Sequence, residues 1–370
     1  MSEPQLSRIL MTADTVGGVW TFVLELAEAL AGHGIEVVLA TMAGQPSEAQ
    51  RVQAAMIPGL SLFTSNFKLE WMDDPQRDVQ ESGRWLLDLE EQYKPDLVHL
   101  NSYGHGALGW RRPVILTAHS CVLSWWEAVR REPLPAHWNW YREVVTQAIH
   151  AVDILVAPSR AMLRGIELHY GRVLPNNRMV VANGRCAHRF RAVPKEPFVL
   201  TSGRLWDEAK NASAIARIAA RLPWPVYMAG EERLSGALPA RFDGCRMLGR
   251  LGPTELAAWF GRTSIYALPA RYEPFGLSAL EAALSGCALV VGDIPSLREV
   301  WEDAAIFVPP DDSDRLESVL RELIADQELR ERMARRAESR ARVFNPERMA
   351  RGYLEAYRTA IANRRELCVS

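Results

Sequence analysis

Arg271-Tyr272-Glu273-Pro274-Phe275-Gly276-Leu277-Ser278-Ala279-Leu280-Glu281 is the stretch whose surroundings reveal the architecture of this chain. An apolar run of strand length, residues 264–268, precedes it, and a second, residues 288–291, follows. Pro274 and Gly276 break the chain between them, and residues 277–284 carry a helical pattern. Strand, loop, helix and strand in that order form the repeating unit of a parallel sheet, whose crossovers are helices.

The same alternation extends in both directions. Downstream of residue 197, further strands are expected at 198–201, 226–229 and 305–308, with helices at 212–221 and 254–262. From Ser313 the chain reads as charged helix with one apolar stripe, Leu316, Val319, Leu320 and Leu323, and Pro346 starts a last helix reaching about Asn363. Upstream, Ile9-Leu10-Met11 reads as a strand. Gly17-Gly18 opens a helix with Phe22, Leu26, Ala29 and Leu30 on one face, which stops at Gly32-His33-Gly34. Strands follow at 37–39, 96–100, 114–117, 154–157 and 179–182, and helices at 76–93, 136–150 and 160–170. The segment 192–197 carries two prolines and no periodic pattern. The expectation is an α/β chain of two doubly wound, Rossmann-like domains, residues 1–192 and 193–346, with 347–370 as a C-terminal helix.

Composition narrows the class. At 370 residues the chain is too long for one ordinary core, and 48% hydrophobic with 24% charged residues suits a globular protein. A net charge of -2 gives no global case for binding nucleic acid, and the pairs Arg111-Arg112 and Arg130-Arg131 read as solvated faces. The lead Met1–Ser7 is polar, and no apolar run reaches the roughly 18 residues of a membrane span, so neither signal peptide nor integral segment is expected. The 5 cysteines (Cys121, Cys186, Cys245, Cys287, Cys368) form no Cys-x-x-Cys pair, which suits a reducing, cytoplasmic setting.

In open parallel sheets ligands bind beyond the carboxyl ends of the strands. The amides of Phe275, Gly276 and Leu277, at the start of a helix, are expected to point outward as an anion site. Glu273 and Glu281 are expected to accept hydrogen bonds from ligand hydroxyls rather than to neutralise cations. A plainer reading, a polar loop plus a carboxylate favoured by the helix dipole, accounts for one glutamate. In Ser202-Gly203-Arg204-Leu205-Trp206-Asp207-Glu208-Ala209-Lys210, Arg204 offers a planar fork for phosphate oxygens and Lys210 a mobile charge. Taken alone, that segment is equally a salt-bridged loop with Asp207 and Glu208 as partners.

Glu-Pro-Phe-Gly-Leu followed by the second glutamate resembles the E-x7-E motif of retaining glycosyltransferase family 4, which has the GT-B fold of two facing Rossmann-like domains with a C-terminal helix crossing back to the first. The resemblance implies that Glu273 contacts the transferred sugar and Glu281 the ribose diol. It places Arg204 and Lys210 in the family's Gly-Arg-Leu…Lys diphosphate loop, with an interval one residue longer than the common form. It matches Gly17-Gly18 with a glycine-rich loop facing the donor phosphates. His119, in Thr117-Ala118-His119-Ser120, falls where the family has a histidine near the donor sugar. Gly249-Arg250-Leu251 matches a turn whose backbone contacts the base. His99 also fits a family pattern, and burial is expected for it.

Other features have simpler readings. Asp312-Ser313-Asp314 spells a metal motif of the other major glycosyltransferase fold, but it precedes a helix and reads as an N-cap. Trp125, Trp126, Trp138 and Trp140 suit core packing or an acceptor pocket. The resulting expectation is a cytoplasmic hexosyltransferase, retaining, without metal or other cofactor. Its donor is a nucleoside-diphosphate sugar, UDP-glucose being the commonest, and its acceptor a hydroxyl on a sugar, lipid-linked or small molecule. The alternatives are a nucleotide-sugar 2-epimerase of the same fold, a phosphorylase that would need pyridoxal phosphate, and an inactive nucleotide-sugar-binding module.

Overall fold

The computed structural model describes residues 6–231 and 242–367. Residues 1–5 of the polar lead and Cys368 lie outside the described residues. The chain divides into two compact units, residues 1–124, 132–184 and 346–370 in one, residues 125–131 and 185–345 in the other.

The first unit begins with β1 (Arg8–Asp14), α1 (Gly18–Ala31), β2 (Glu36–Met42), α2 (Glu48–Ala55), β3 (Leu60–Thr64) and α3 (Gln76–Tyr93). It continues through β4 (Leu97–Leu100), β5 (Val114–Thr117), α4 (Val122–Val129), α5 (Asn139–Ala151), β6 (Ile154–Ala157), α6 (Arg160–Tyr170) and β7 (Arg178–Val180). All neighbours pair in parallel, in the order β3-β2-β1-β4-β5-β6-β7. The order reverses between β1 and β4, so the loops leaving those two strands diverge there and leave a crevice for a ligand. Within α4, the residues from Trp125 onward belong to the second unit.

The second unit is built from β8 (Glu196–Arg204), α7 (Ala212–Ala219), β9 (Val226–Glu231), β10 (Cys245–Gly249), α8 (Pro253–Arg262), β11 (Thr263–Leu268) and α9 (Leu277–Leu284). Then come β12 (Ala288–Gly292), α10 (Pro295–Trp301), β13 (Ile306–Val308), α11 (Ser313–Ala325) and α12 (Gln327–Ala341). Its parallel sheet runs β10-β9-β8-β11-β12-β13, with the reversal between β8 and β11. The last helix, α13 (Pro346–Leu367), belongs to the first unit, where Met349, Tyr353, Ala356, Tyr357 and Ala360 share a core with Phe22, Val23 and Leu26 of α1.

The central strands are continuous apolar runs because helices cover both faces of each sheet. Leu316, Val319, Leu320 and Leu323 are buried as one stripe of α11. Of the elements that the sequence pattern does not reveal, α4 and α10 are short helices, and the others lack such runs. β3 and β10 are edge strands, half-buried along their length, and α2 is polar and held at its start by a reciprocal Ser47–Gln50 cap. The single helix expected over 136–150 is a 3-10 turn, Ala136–Trp138, followed by α5. The strand expected at 179–182 is the shorter β7. Asp312 caps α11, its Oδ1 accepting the Arg315 amide at 2.8 Å.

Candidate active site

At the switch point of the second sheet, β8 delivers the loop Leu205–Asn211 and β11 delivers Pro269–Gly276, side by side. The two loops are bonded to one another before any functional side chain is considered. The Arg271 amide donates to Ala209 O at 2.8 Å, and Asn211 Nδ2 donates to Pro269 O at 2.9 Å and Pro310 O at 2.7 Å. Asn211 sits in the left-handed region at φ 55°, which turns the chain into α7 and aims its amide at those carbonyls. The effect is to set the loop that carries Arg204 and Lys210 beside the loop that carries Glu273, and Lys210 meets Glu273 across 63 residues of sequence.

Lys210 Nζ donates to Glu273 Oε2 at 2.5 Å, with both side chains largely buried. The other oxygen, Glu273 Oε1, accepts the Gly276 amide at 3.0 Å and lies 3.5 Å from the Phe275 nitrogen. Ser296 Oγ donates to the Glu273 carbonyl at 2.5 Å, which fixes the backbone of that residue. Eight residues on, Glu281 forms an ion pair with Arg185, Oε1 to Nε at 2.9 Å. These contacts correct two expectations. The amides of Phe275 and Gly276 are not bare, because the carboxylate of Glu273 folds back on them. Both glutamates do neutralise cations, because a carboxylate this deeply buried requires a counter-charge. The Phe275 side chain is core, edge-on to Phe344 at 5.4 Å.

Gly276 has φ 91°, and a Cβ there would lie 3.3 Å from Leu297 Cδ2 and 3.5 Å from Glu273 Cγ. Glycine therefore permits both the turn into α9 and the return of the glutamate. Leu277 begins α9 and is half-buried.

Arg204 ends β8 with a side chain 41% exposed, so its fork is open on one side. On the other, Nη2 pairs with Asp207 Oδ2 at 3.1 Å, and the guanidinium lies over the Trp206 ring at 5.6 Å. Asp207 Oδ1 in turn accepts Trp125 Nε1–H at 2.9 Å and the Ala209 amide at 3.0 Å. Around this core run charge pairs, Arg130 with both oxygens of Glu208, and Arg131 and Arg271 with Asp311. Burial raises the Asp311 pKa, but the hydrogen bonds and charges of Arg271 and Arg131 outweigh it and hold the carboxyl below its ordinary value. Arg250 and Leu251 follow β10; Arg250 is exposed and pairs with Glu231 at 3.0 Å, while Leu251 is half-buried.

The crevice loops of the first unit carry a different chemistry. Gly17 precedes α1 in extended backbone, where a Cβ would meet nothing within 4 Å, and Gly18 is the first helical residue. The glycine thus leaves open room at a helix N-terminus, while Asp14 Oδ1 accepts the Val16 amide at 2.9 Å. His119 lies just beyond β5. Its Nε2 is 2.8 Å from Asn101 Oδ1, and its ring stands edge-on to Phe22 at 4.5 Å. Desolvation pushes its pKa down to about 3, so the imidazole is neutral. His99 is fully buried, between Thr117 Oγ1 at 2.8 Å and Tyr357 Oη at 2.9 Å, and pins α13.

The profile described as Glycosyltransferase Family 4 matches residues 16–185, and that described as Glycosyl transferases group 1 matches residues 188–340. The chain is a GT-B, family 4-like glycosyltransferase. It is 26% identical to glycogen synthase of Mycobacterium tuberculosis over 88% of this chain and 86% of that protein. It is 27% identical to D-inositol 3-phosphate glycosyltransferase of Xylanimonas cellulosilytica over 94% of this chain and 93% of that one. In fold it resembles HepE of Anabaena, solved in complex with UDP-glucose, with a TM-score of 0.73 and 17% identity over 94% of this chain and 98% of that chain. Among the described residues of the glycosyltransferase, no helix is long and apolar enough to cross a membrane.

Several residues that shape the crevice loops of each unit carry no local signal. Arg185 lies far in sequence from Glu281, and nothing in its neighbours marks it as the partner. Asn211 directly follows the Arg204–Lys210 loop, and its bonds to Pro269 and Pro310 are made only in the fold. Asn101 differs from any polar strand-end residue only through what surrounds it in space. The tryptophans separate: Trp125 and Trp126 belong to the second unit, Trp138 and Trp140 to the first, where Trp138 packs edge-on to Tyr141 at 5.8 Å.

Proposed function

We propose that this glycosyltransferase moves a hexosyl group from a nucleoside-diphosphate sugar, with UDP-glucose the first donor to test, to an acceptor hydroxyl with retention of anomeric configuration. The observation that carries the reading is the convergence of Arg204, Lys210 and Glu273 at the switch point of the second sheet, with Glu281 one helical turn further along α9. The donor of the HepE complex is consistent with a UDP-sugar. The relatives named above differ in their acceptors, one a glycogen synthase and one a D-inositol 3-phosphate glycosyltransferase, so the acceptor here is left as a hydroxyl.

The ion pairs suggest how the site takes its donor. A diphosphate brings negative charge to Lys210, which exchanges Glu273 for a phosphate oxygen. Glu273 Oε2, released from the lysine, then accepts a hydroxyl of the transferred sugar, while Oε1 stays on the Gly276 amide. Glu281, steadied by Arg185, accepts the ribose diol. As the sugar–phosphate bond breaks, charge grows on the leaving diphosphate and is stabilised by Arg204 and Lys210. The anomeric carbon becomes oxocarbenium-like, and the acceptor oxygen attacks from the face the phosphate leaves, giving its proton to that phosphate. Two protein cations supply the charge that a metal supplies elsewhere, and Asp312, used as a helix cap, is not needed for one.

The test is product stereochemistry. Incubation with UDP-glucose and a panel of sugar, inositol phosphate and lipid-linked acceptors should give an α-glucoside by proton NMR, with equal rates in the presence of EDTA. A β-linked product would overturn retention, and loss of activity with EDTA the metal-free reading. Conversion of donor without any acceptor would instead identify the 2-epimerase.

A further inference from the structure

We infer that Asn101 is a positioning residue that holds His119 as its Nε2–H tautomer, so that His119 meets a ligand through a bare Nδ1 as a hydrogen-bond acceptor. Thr12 lies in the middle of the buried strand β1. Its Oγ1 accepts the Asn101 backbone amide at 2.9 Å, and its carbonyl oxygen lies 2.7 Å from Asn101 Nδ2. A carbonyl can only accept, so the side-chain atom against it must be the amide nitrogen. The oxygen of the same amide then faces His119, and at 2.8 Å from Nε2 it can only accept as well. The proton therefore resides on Nε2.

Rotating the amide would set oxygen against oxygen at Thr12, so the assignment does not depend on choosing between equal alternatives. A neutral imidazole has one N–H, and Nδ1 is left with its lone pair. The ring is held in place by Phe22, edge-on at 4.5 Å, and Asn101 itself is only 8% exposed. Burial keeps the ring neutral.

The chemical consequence is a choice of ligand group. Nδ1 welcomes a hydroxyl, which donates, and disfavours a carboxylate or phosphate oxygen, which also accepts. His119 cannot serve as a cation for the diphosphate. In the sugar contact this rests on the function proposed above; the tautomer does not.

The experiment is long-range proton–nitrogen correlation on the full chain labelled with 15N-histidine, near neutral pH, with the His119 signals identified by their loss in His119→Gln. The expected pattern is a protonated Nε2 and an unprotonated Nδ1. Asn101→Leu, similar in size but without an acceptor, should shift the population toward Nδ1–H and lower kcat/KM for the nucleotide sugar by about tenfold, the worth of one hydrogen bond. An Nδ1–H signal in the native chain or an unchanged tautomer in Asn101→Leu would each overturn the inference. The native spectrum decides it even where the leucine variant does not fold. If the tautomer is as expected and no nucleotide sugar binds, the functional reading fails and the tautomer assignment stands.

Discussion

The crevice of the second sheet is lined by charges held in pairs, Lys210 with Glu273, Arg204 with Asp207 and Arg185 with Glu281. The crevice of the first is lined by neutral groups in a desolvated setting, His119 with Asn101 and Thr12, above His99 with Thr117 and Tyr357. Both lie at the reversal point of a doubly wound sheet, so topology does not explain the difference. The demand that the proposed function would place on each does. A diphosphate is an anion, and the proposed metal-free binding requires cations that are balanced, before it arrives, by nearby carboxylates. A sugar hydroxyl is neutral and needs a directed acceptor, and desolvation both removes the charge of an imidazole and sharpens its hydrogen bond.

The largest expected effect tests the paired charges. Arg185→Met leaves Glu281 buried without this partner and should cost about 3–5 kcal/mol of stability, read as a urea midpoint. Adding Glu281→Gln should recover most of that loss; if the double variant is no more stable than the single, the pair is not the reason for the cost. Next in size is Arg204→Ala. Its partly exposed side chain makes stability change by no more than about 1 kcal/mol, while kcat falls by about a hundredfold or more. A fall in stability with kcat intact would place Arg204 among the structural pairs and blur the contrast between the units.

The smallest effect tests the neutral side. Burial lowers the pKa of His105 to about 4 and that of His119 to about 3, and places His99 well below its ordinary value. The unfolded chain takes up these protons first, near pH 6.5, so the stability these groups contribute is complete above that pH and is lost as pH falls to about 4 for His105 and about 3 for His119. At pH 5.5 each should cost about 1 kcal/mol relative to pH 7.5. His105→Gln, which removes a group bonded to Ser82 and distant in role from the proposed site, should flatten the decline in proportion. An unaltered slope would show that the histidines are not what makes the fold acid-sensitive.

How much could be read without coordinates follows from what each element buries. Helices α3, α6 and α9 and strands β5 and β6 coincide with their expected spans, because each buries one clear apolar face or run and is bounded by turn residues. The edge strands β3 and β10 and the short α2 escaped, since half-exposed elements carry mixed residues that periodicity does not separate from loop. The division between the units falls at Arg185, ahead of the proline-rich segment, because the chain from Arg185 onward is already fastened to the second unit. Lys195 Nζ bonds the carbonyls of Gly261 and Ser285 at 2.9 and 2.6 Å.

The amino-acid sequence by itself determined the doubly wound α/β architecture, the order of its central elements and the loops in which the chemistry-bearing side chains lie. These depend on local periodicity, on glycine and proline, and on the residue spacing of the Glu273–Glu281 stretch. Only the tertiary structure decided the partners: that Glu273 folds back on the Gly276 amide while holding Lys210, that Glu281 faces Arg185, and that Asn101 directs the proton of His119. Hydrogen bonds and ion pairs act over about 3 Å, and no pattern along a chain specifies which distant residues come within that reach.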